Sequence, residues 1–479
     1  MKKYILTTIL ALLAIAAGAR VKLPPVLGSN MVLQQDSDVK IWGRANPGAK
    51  IQVTTSWDGK RHKTEASDSG EWAVTVHTPL AGGPWSIVCS DGEEVVLDNV
   101  LTGEVWFCSG QSNMEMPMQG FPGSPVEGFS EAMASATSDV PVRMFLADVK
   151  DGKLTKIVSR TPLDECEGEW HLNNPGDVAV TSAVAYYFAS ILQSKMNLPV
   201  GIIVASHGGT RIETWMDRQA LEGFAHVDQT AFEAQGPVTD PYTTPAVLYN
   251  SKLHPFFPYV VKGMIWYQGE NNCANPEDYS KLLPAFVKML REEWQAKLPF
   301  YYVQVTPFHS YWGTENSGAR LREHQWLGGK DIQDCSMVCT ADLGDYHYIH
   351  FPKKKQVAER LVNLALAKTY GREGLWCESP SFKDMEIREG KAYIGVDNAP
   401  LGLCPIFIPL VDFEIAGEDR VFHPADAMIY ESDPRHIVVS SPEVPAPVAV
   451  RYGYSDYLSG QVKNNAGLPL IPFRTDNWD

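Results

Sequence analysis

The strongest constraint in this chain is a recurring unit, a short apolar run that stops abruptly at small polar residues. Val105-Trp106-Phe107-Cys108 stops at Ser109-Gly110, Gly201-Ile202-Ile203-Val204-Ala205 leads to Gly208-Gly209, and Met264-Ile265-Trp266-Tyr267 leads to Gly269. Phe300-Tyr301-Tyr302-Val303-Gln304-Val305 and Ser336-Met337-Val338-Cys339-Thr340 are two more such runs. Runs without alternation, bounded by turn residues, read as strands buried on both faces. Helical patterns lie between them. Val184, Tyr187, Phe188, Ile191 and Leu192 recur at helical spacing before Leu198-Pro199, and a helix is expected over about 277–294. Val357, Leu361, Leu364 and Lys368 form a last stripe, closed by Gly371. Alternating strands and helices over 101–371 predict an α/β domain with a doubly wound, mostly parallel sheet. Ligands of such sheets bind outside the carboxyl ends of the strands, which are the polar clusters.

The flanks read differently. Over 20–100, alternating runs such as Val39-Lys40-Ile41-Trp42 and Trp72-Ala73-Val74-Thr75-Val76 are separated by Asn46-Pro47-Gly48, Asp58-Gly59 and Gly82-Gly83-Pro84. That pattern predicts an N-terminal β-sandwich. Residues 372–479 return to alternation, as in His436-Ile437-Val438-Val439, and predict a C-terminal β region, separate or packed on the first. Residues 1–19 combine Lys2-Lys3, an apolar run over Tyr4 to Ala16 and Ala17-Gly18-Ala19, the pattern of a signal peptide cut after Ala19. The expectation is an exported protein, periplasmic or secreted.

With 57 acidic and 41 basic residues among 479, the net charge of −16 argues against a nucleic-acid partner. No later apolar run approaches the ~18–20 residues of a membrane span. The eight cysteines are irregularly spaced, with no CxxC and no accompanying His cluster. Neither a zinc site nor any other metal or cofactor is therefore expected, and buried thiols are the plainer reading.

Four polar clusters carry the candidate chemistry. Ser112, in Gly110-Gln111-Ser112-Asn113-Met114, sits at a strand-to-helix turn. Such a turn exposes Oγ beside helix N–H groups, as in a nucleophile elbow, although a helix-capping serine is the plainer reading of this residue alone. His207-Gly208-Gly209-Thr210-Arg211 offers backbone N–H groups to an oxyanion. Tyr267-Gln268-Gly269-Glu270-Asn271 offers side-chain amides. The segment from Asp342 to Pro352 holds His347 and His350 with Asp342 and Asp345, so a base and an orienting acid are available to Ser112.

Together these blocks resemble the sialate O-acetylesterase family of the SGNH hydrolases. Met31-Val32-Leu33-Gln34-Gln35, Gly103-Glu104-Val105-Trp106, Gly110 to Glu115, Gly208-Gly209-Thr210, Trp266-Tyr267-Gln268-Gly269-Glu270 and Ile349-His350 carry the likeness. The resemblance implies an SGNH-type fold and a serine carbohydrate esterase removing O-acetyl groups from sialic acids through an acetyl-enzyme. It implies Ser112 as nucleophile and His350 as base. The oxyanion hole would come from Ser112, Gly208 or Gly209, and Gln268 or Asn271. The family's acid precedes the base by three residues, a position His347 occupies here. The acid is therefore open between Asp345 and Asp342, or a dyad operates. Arg211 is a candidate for a sialate carboxylate or for a pair with Glu213. Glu213 and Glu270 are further substrate-binding candidates, as are Trp215, Tyr267 and Trp312, which can stack on a sugar or pack in the core. Acetylated xylan and other plant polysaccharides are alternative substrates, and a non-catalytic glycan-binding protein is the rival class. The imidazole should carry the pH dependence, with the rate falling between about pH 8 and 5 as it protonates.

Overall fold

The computed structural model describes residues 21–150 and 153–478. The expected signal peptide at 1–19 lies outside them. The centre is a seven-stranded sheet of β1 (Glu94–Gly110), β2 (Val142–Ala147), β3 (Gly168–Leu172), β4 (Val200–Ser206), β5 (Gly263–Tyr267), β6 (Phe300–Val303) and β7 (Cys335–Val338), in spatial order β3-β2-β4-β1-β5-β6-β7. All pairings are parallel except that of the edge strand β3. The fold is thus mixed α/β with a mostly parallel sheet, as the alternating pattern predicts. The chain fills one side of β1 with β2 and β4, then the other with β5 to β7. The switch point therefore lies at the carboxyl ends of β4, β1 and β5. Those ends are level, because Gly110 partners Ser206 on one side and Tyr267 on the other. Gly110 has φ 141, and a Cβ there would lie 2.0 Å from the Tyr267 carbonyl oxygen, so only glycine permits this close pairing.

The helices are α1 (Ser112–Glu115), α2 (Ala183–Met196), α3 (Tyr279–Glu293), α4 (Ser317–Gly329) and α5 (Lys354–Leu364), with shorter turns between them. α2 and α5 pack on one face of the sheet, and α3 and α4 pack together on the other. α4 escapes the periodicity reading because its buried positions include Gly318, Arg322, Gln325, Gly328 and Gly329 rather than an apolar stripe. The strand Arg61–Glu65 escapes it as well, since that strand has no fully buried residue.

The expected N-terminal boundary at residue 100 falls inside β1. Residues 94–102 of that strand pair with Gly82–Ser90, residues 101–103 with Val32–Gln34, and residues 104–110 with β4. Four N-terminal strands, Val32–Gln34, Lys50–Thr55, Arg61–Glu65 and Gly82–Ser90, accordingly join the central sheet in one 11-stranded sheet, while Asp38–Arg44 and Glu71–His77 pair separately. One hydrophobic cluster runs from Val39, Val53 and Trp72 to Phe107, Ile203 and Trp266. The C-terminal region folds as two four-stranded antiparallel sheets around Ile394, Ile415, Ile437 and Val450, with a core of their own. It is fastened to the central body by Arg474 on Glu323 (2.9 Å) and Lys463 on Asp342 (2.7 Å). Among the described residues no helix is long and apolar enough to cross a membrane. All eight cysteines are unpaired.

Candidate active site

The cap of α1 is Gln111, so Ser112 is the first helical residue and not the cap. At that position its N–H has no intrahelical acceptor and points out of the helix end. Among the described residues its Oγ takes part in no hydrogen bond, while the side chains around it are all spent. Gln111 Oε1 accepts from the backbone N–H of Gly269 (3.1 Å) and Asn271 (3.4 Å). Asn113 Nδ2 donates to Glu270 Oε1 (2.5 Å) and to the Ile349 carbonyl (3.2 Å), and its Oδ1 accepts from Lys354 Nζ. Glu115 Oε2 accepts from the Gly208 N–H (2.5 Å), and its Oε1 pairs with Lys156 Nζ (2.9 Å). The loops after β4, β5 and β7 are thus each gripped by a residue next to Ser112 or within three of it.

Gly208 packs directly against the nucleophile turn. A Cβ on it would lie 2.7 Å from Glu115 Oε2 and 3.2 Å from Ser112 Cβ. Its N–H is already given to Glu115, which removes it from the expected oxyanion donors. Gly209 has φ +76, and its N–H has no acceptor among the described residues. Gln268 is a second correction. Fully buried, its Nε2 donates to the Thr210 carbonyl (2.9 Å) and Asn272 Oδ1 (2.7 Å), and its Oε1 accepts from the Tyr279 hydroxyl (2.9 Å). No amide hydrogen remains for an oxyanion. Asn271 is half-buried and gives one N–H to the Gly209 carbonyl (2.6 Å), which leaves the other.

His350 follows the Ile349 carbonyl that Asn113 holds, and its ring meets Phe121 edge-on at 5.0 Å. Burial, then the nearby Lys354 ammonium, push its pKa down to about 4, with Glu115 opposing. The imidazole is therefore neutral at ordinary pH, the form that accepts a proton. Neither candidate acid is available to it. Asp342 is gripped by Arg360 through both oxygens (2.8 Å each) and by Lys463, cations that outweigh its burial and hold its pKa low. Asp345 caps its own turn, accepting from the N–H groups of His347 (2.8 Å) and Tyr348 (3.1 Å). Among the described residues His350 has no carboxylate partner.

The substrate-binding candidates divide sharply. Glu213 is buried, pairs with His226 (3.0 Å) and accepts from Asn272 Nδ2 (2.9 Å), so it is neither a sugar contact nor the partner of Arg211. Trp215 lies in the core against Trp266, with Nε1 donating to Thr210 Oγ1 (3.0 Å). Glu270 and Tyr267 are likewise buried, which rules them out as surfaces for a sugar. Trp312 is 47% exposed and remains open. Arg211 is half-buried, has no ion pair among the described residues, and carries a buried Nε with no acceptor. Asn113 and Glu115 stand in the quoted Ser112 block without a role assigned by sequence, and Lys354 lies outside the quoted blocks. The available signal was their spacing, one and three residues after Ser112 and four after His350.

The family model for "Carbohydrate esterase, sialic acid-specific acetylesterase" matches residues 102–368. The sialate O-acetylesterase of Homo sapiens is 27% identical over 409 residues, covering 80% of this chain and 77% of that protein. The Mus musculus enzyme of the same name is 26% identical over 445 residues, covering 80% of each. A solved carbohydrate acetylesterase from Xanthomonas citri superposes with a TM-score of 0.85 at 33% identity, over 96% of this chain and 100% of that one.

Proposed function

The chain belongs to the carbohydrate esterase, sialic acid-specific acetylesterase family, and from that premise we propose that it removes O-acetyl groups from sialic acids with Ser112 as nucleophile. That it is a carboxylic ester hydrolase follows from the family and from its sialate O-acetylesterase relatives, which sets aside the non-catalytic rival. In this reading neutral His350 takes the proton as Ser112 Oγ attacks the acetyl carbonyl. The tetrahedral oxyanion is met by the N–H groups of Ser112 and Gly209 and the second amide hydrogen of Asn271. The protonated imidazole then gives its proton to the departing sugar alkoxide. Water, deprotonated by the same imidazole, releases acetate from the acetyl-enzyme. Ser112 and His350 act as a dyad, since Asp342 is held by Arg360 and Lys463, Asp345 turns Oδ1 to its own loop, and neither carboxylate is bonded to His350 among the described residues. Export through residues 1–19 belongs to the same reading.

The observation that carries the sialate assignment is Arg211, two residues beyond Gly209, whose buried Nε has no acceptor and which has no ion pair among the described residues. A planar guanidinium suits the carboxylate that sialic acids have and neutral sugars lack. The test compares Arg211→Ala on an O-acetylated sialic acid and on p-nitrophenyl acetate. We expect kcat/KM to fall about tenfold or more for the sugar, with the neutral ester unchanged. Equal losses on both, or none, would count against the assignment. A second reading is an acetylesterase for other acetylated carbohydrates, favoured by the higher identity to the Xanthomonas citri carbohydrate acetylesterase, 33% against 27% for the human sialate O-acetylesterase. Faster acetate release from acetylated xylan than from mucin sialic acids would select it.

A further inference from the structure

We propose that Asn113 is the positioning residue that sets the nucleophile turn against the base loop, and that the buried side chains of Lys354 and Glu270, each bonded to its amide, hold it in register. The inference rests on the reading of Ser112 and His350 as nucleophile and base.

Three observations carry it. First, Asn113 follows Ser112 directly, and its Nδ2 donates to the carbonyl of Ile349, the residue before His350. The side chain after the nucleophile thus touches the peptide before the base. Second, the same amide is fixed from both sides. Glu270, from the turn after β5, accepts its second N–H at 2.5 Å, and Lys354 Nζ donates to its Oδ1. Both amide hydrogens and one lone pair of the oxygen are directed, so the amide cannot flip without breaking a contact to a buried charge. Third, Lys354 and Glu270 are both 1% exposed or less, and Glu270 Oε2 has no hydrogen-bond partner among the described residues. The ammonium rests on the Phe351 ring, 3.9 Å from its centroid. Two buried charges cost more than a neutral packing would, so the arrangement calls for a return other than stability. Fixing Asn113 between the turn after β5 and the segment that carries His350 is that return.

Lys354, whose ammonium lies against the residue after His350, also sets the charge that His350 experiences. The charged groups acting on that imidazole are Lys354 from its own segment and Glu115 from α1; burial lowers Lys354 to about 7, with Glu270 opposing, so its charge is complete at the lower pH where His350 titrates. A nearby ammonium disfavours the imidazolium, so removing it makes His350 easier to protonate.

The experiment uses the full chain, with acetate release from p-nitrophenyl acetate and labelling by a fluorophosphonate as readouts. Asn113→Ala should lower kcat by ~10²-fold, the scale expected when a reacting group is misplaced, and leave KM within about twofold. Lys354→Met should move the acidic limb of the kcat/KM profile upward by about half a pH unit or more, and Lys354→Arg should restore its position. Because Lys354→Met leaves Glu270 without its cation, the double variant Lys354→Met/Glu270→Gln is measured beside it. The double variant carries no buried charge at this point and should show the same upward limb in a folded protein. Asn113→Ala with unchanged kcat would overturn the proposal, as would a Lys354→Met or double-variant profile whose acidic limb does not move. Ser112→Ala and His350→Ala are run in parallel. An active Ser112→Ala overturns the reading of the site itself, whereas an inactive Ser112→Ala beside a fully active Asn113→Ala overturns this inference alone.

Discussion

On the nucleophile side of the site, Gln111, Asn113 and Glu115 each spend their side chains on a different loop, so Ser112 sits in a turn fixed at three points. On the base side, His350 has an aromatic neighbour and a nearby ammonium but, among the described residues, no carboxylate hydrogen-bonded to it, and the two acids closest in sequence are engaged by Arg360, Lys463 and a local turn. The difference separates two tasks that a Ser-His-Asp triad gives to one chain of hydrogen bonds. Here position comes from the grip of the nucleophile turn on its neighbours, and protonation state comes from burial and charge. An imidazole held neutral by its surroundings needs no acid to remain a base at neutral pH. Without an acid it loses the partner that would steady the imidazolium formed during reaction.

This contrast can be broken at several points. The largest effect is expected from Ser112→Ala, which should remove at least ~10³-fold of kcat, measured as acetate release, and abolish fluorophosphonate labelling. His350→Gln follows, with a loss of about 10²- to 10⁴-fold. The wild-type profile sharpens the same point. Since the imidazole titrates at about 4, the rate should stay level between about pH 8 and 5 and fall only below that, as the protonated ring can no longer accept the serine proton. This replaces the fall across that range expected of an ordinary histidine. A midpoint near 6.5 would mean that His350 is not shielded as described. Asp342→Asn should act on folding and not on chemistry. The amide is a poorer partner for Arg360 and Lys463, so we expect about 1–3 kcal/mol of lost stability by denaturant titration, with kcat within about threefold. Asp345→Asn is expected to do least, because asparagine supports the same kind of turn. A tenfold fall in its kcat would show that the base has an acid after all.

What the chain revealed in advance follows physical lines. The central strands were legible because they are buried on both faces and end in turn residues, and the polar ends pointed to the site. Val142–Ala147 was harder, since Arg143 interrupts its apolar run, and α4 was invisible because polar and glycine positions line its buried side. Within the site, Ser112, Gly209 and His350 could be singled out from their turns, but the direction of a side chain could not. Glu213 and Trp215 follow Arg211 closely, yet their short 3₁₀ turn carries both into the core. Gln268 and Glu270 stand in the right block and also face inward. Proximity in sequence places a backbone near a site. It does not decide which of two faces a residue presents there.

Strand β1 has a mechanical consequence. One unbroken backbone runs from Glu94, among the N-terminal strands, to Gly110, two residues before Ser112. A chain begun at residue 101 would keep every catalytic candidate and still lose the half of this strand that anchors the rest. Tension applied to the N-terminal strands is delivered along that backbone to the nucleophile turn. Cutting or loosening the one should therefore register as slack in the other.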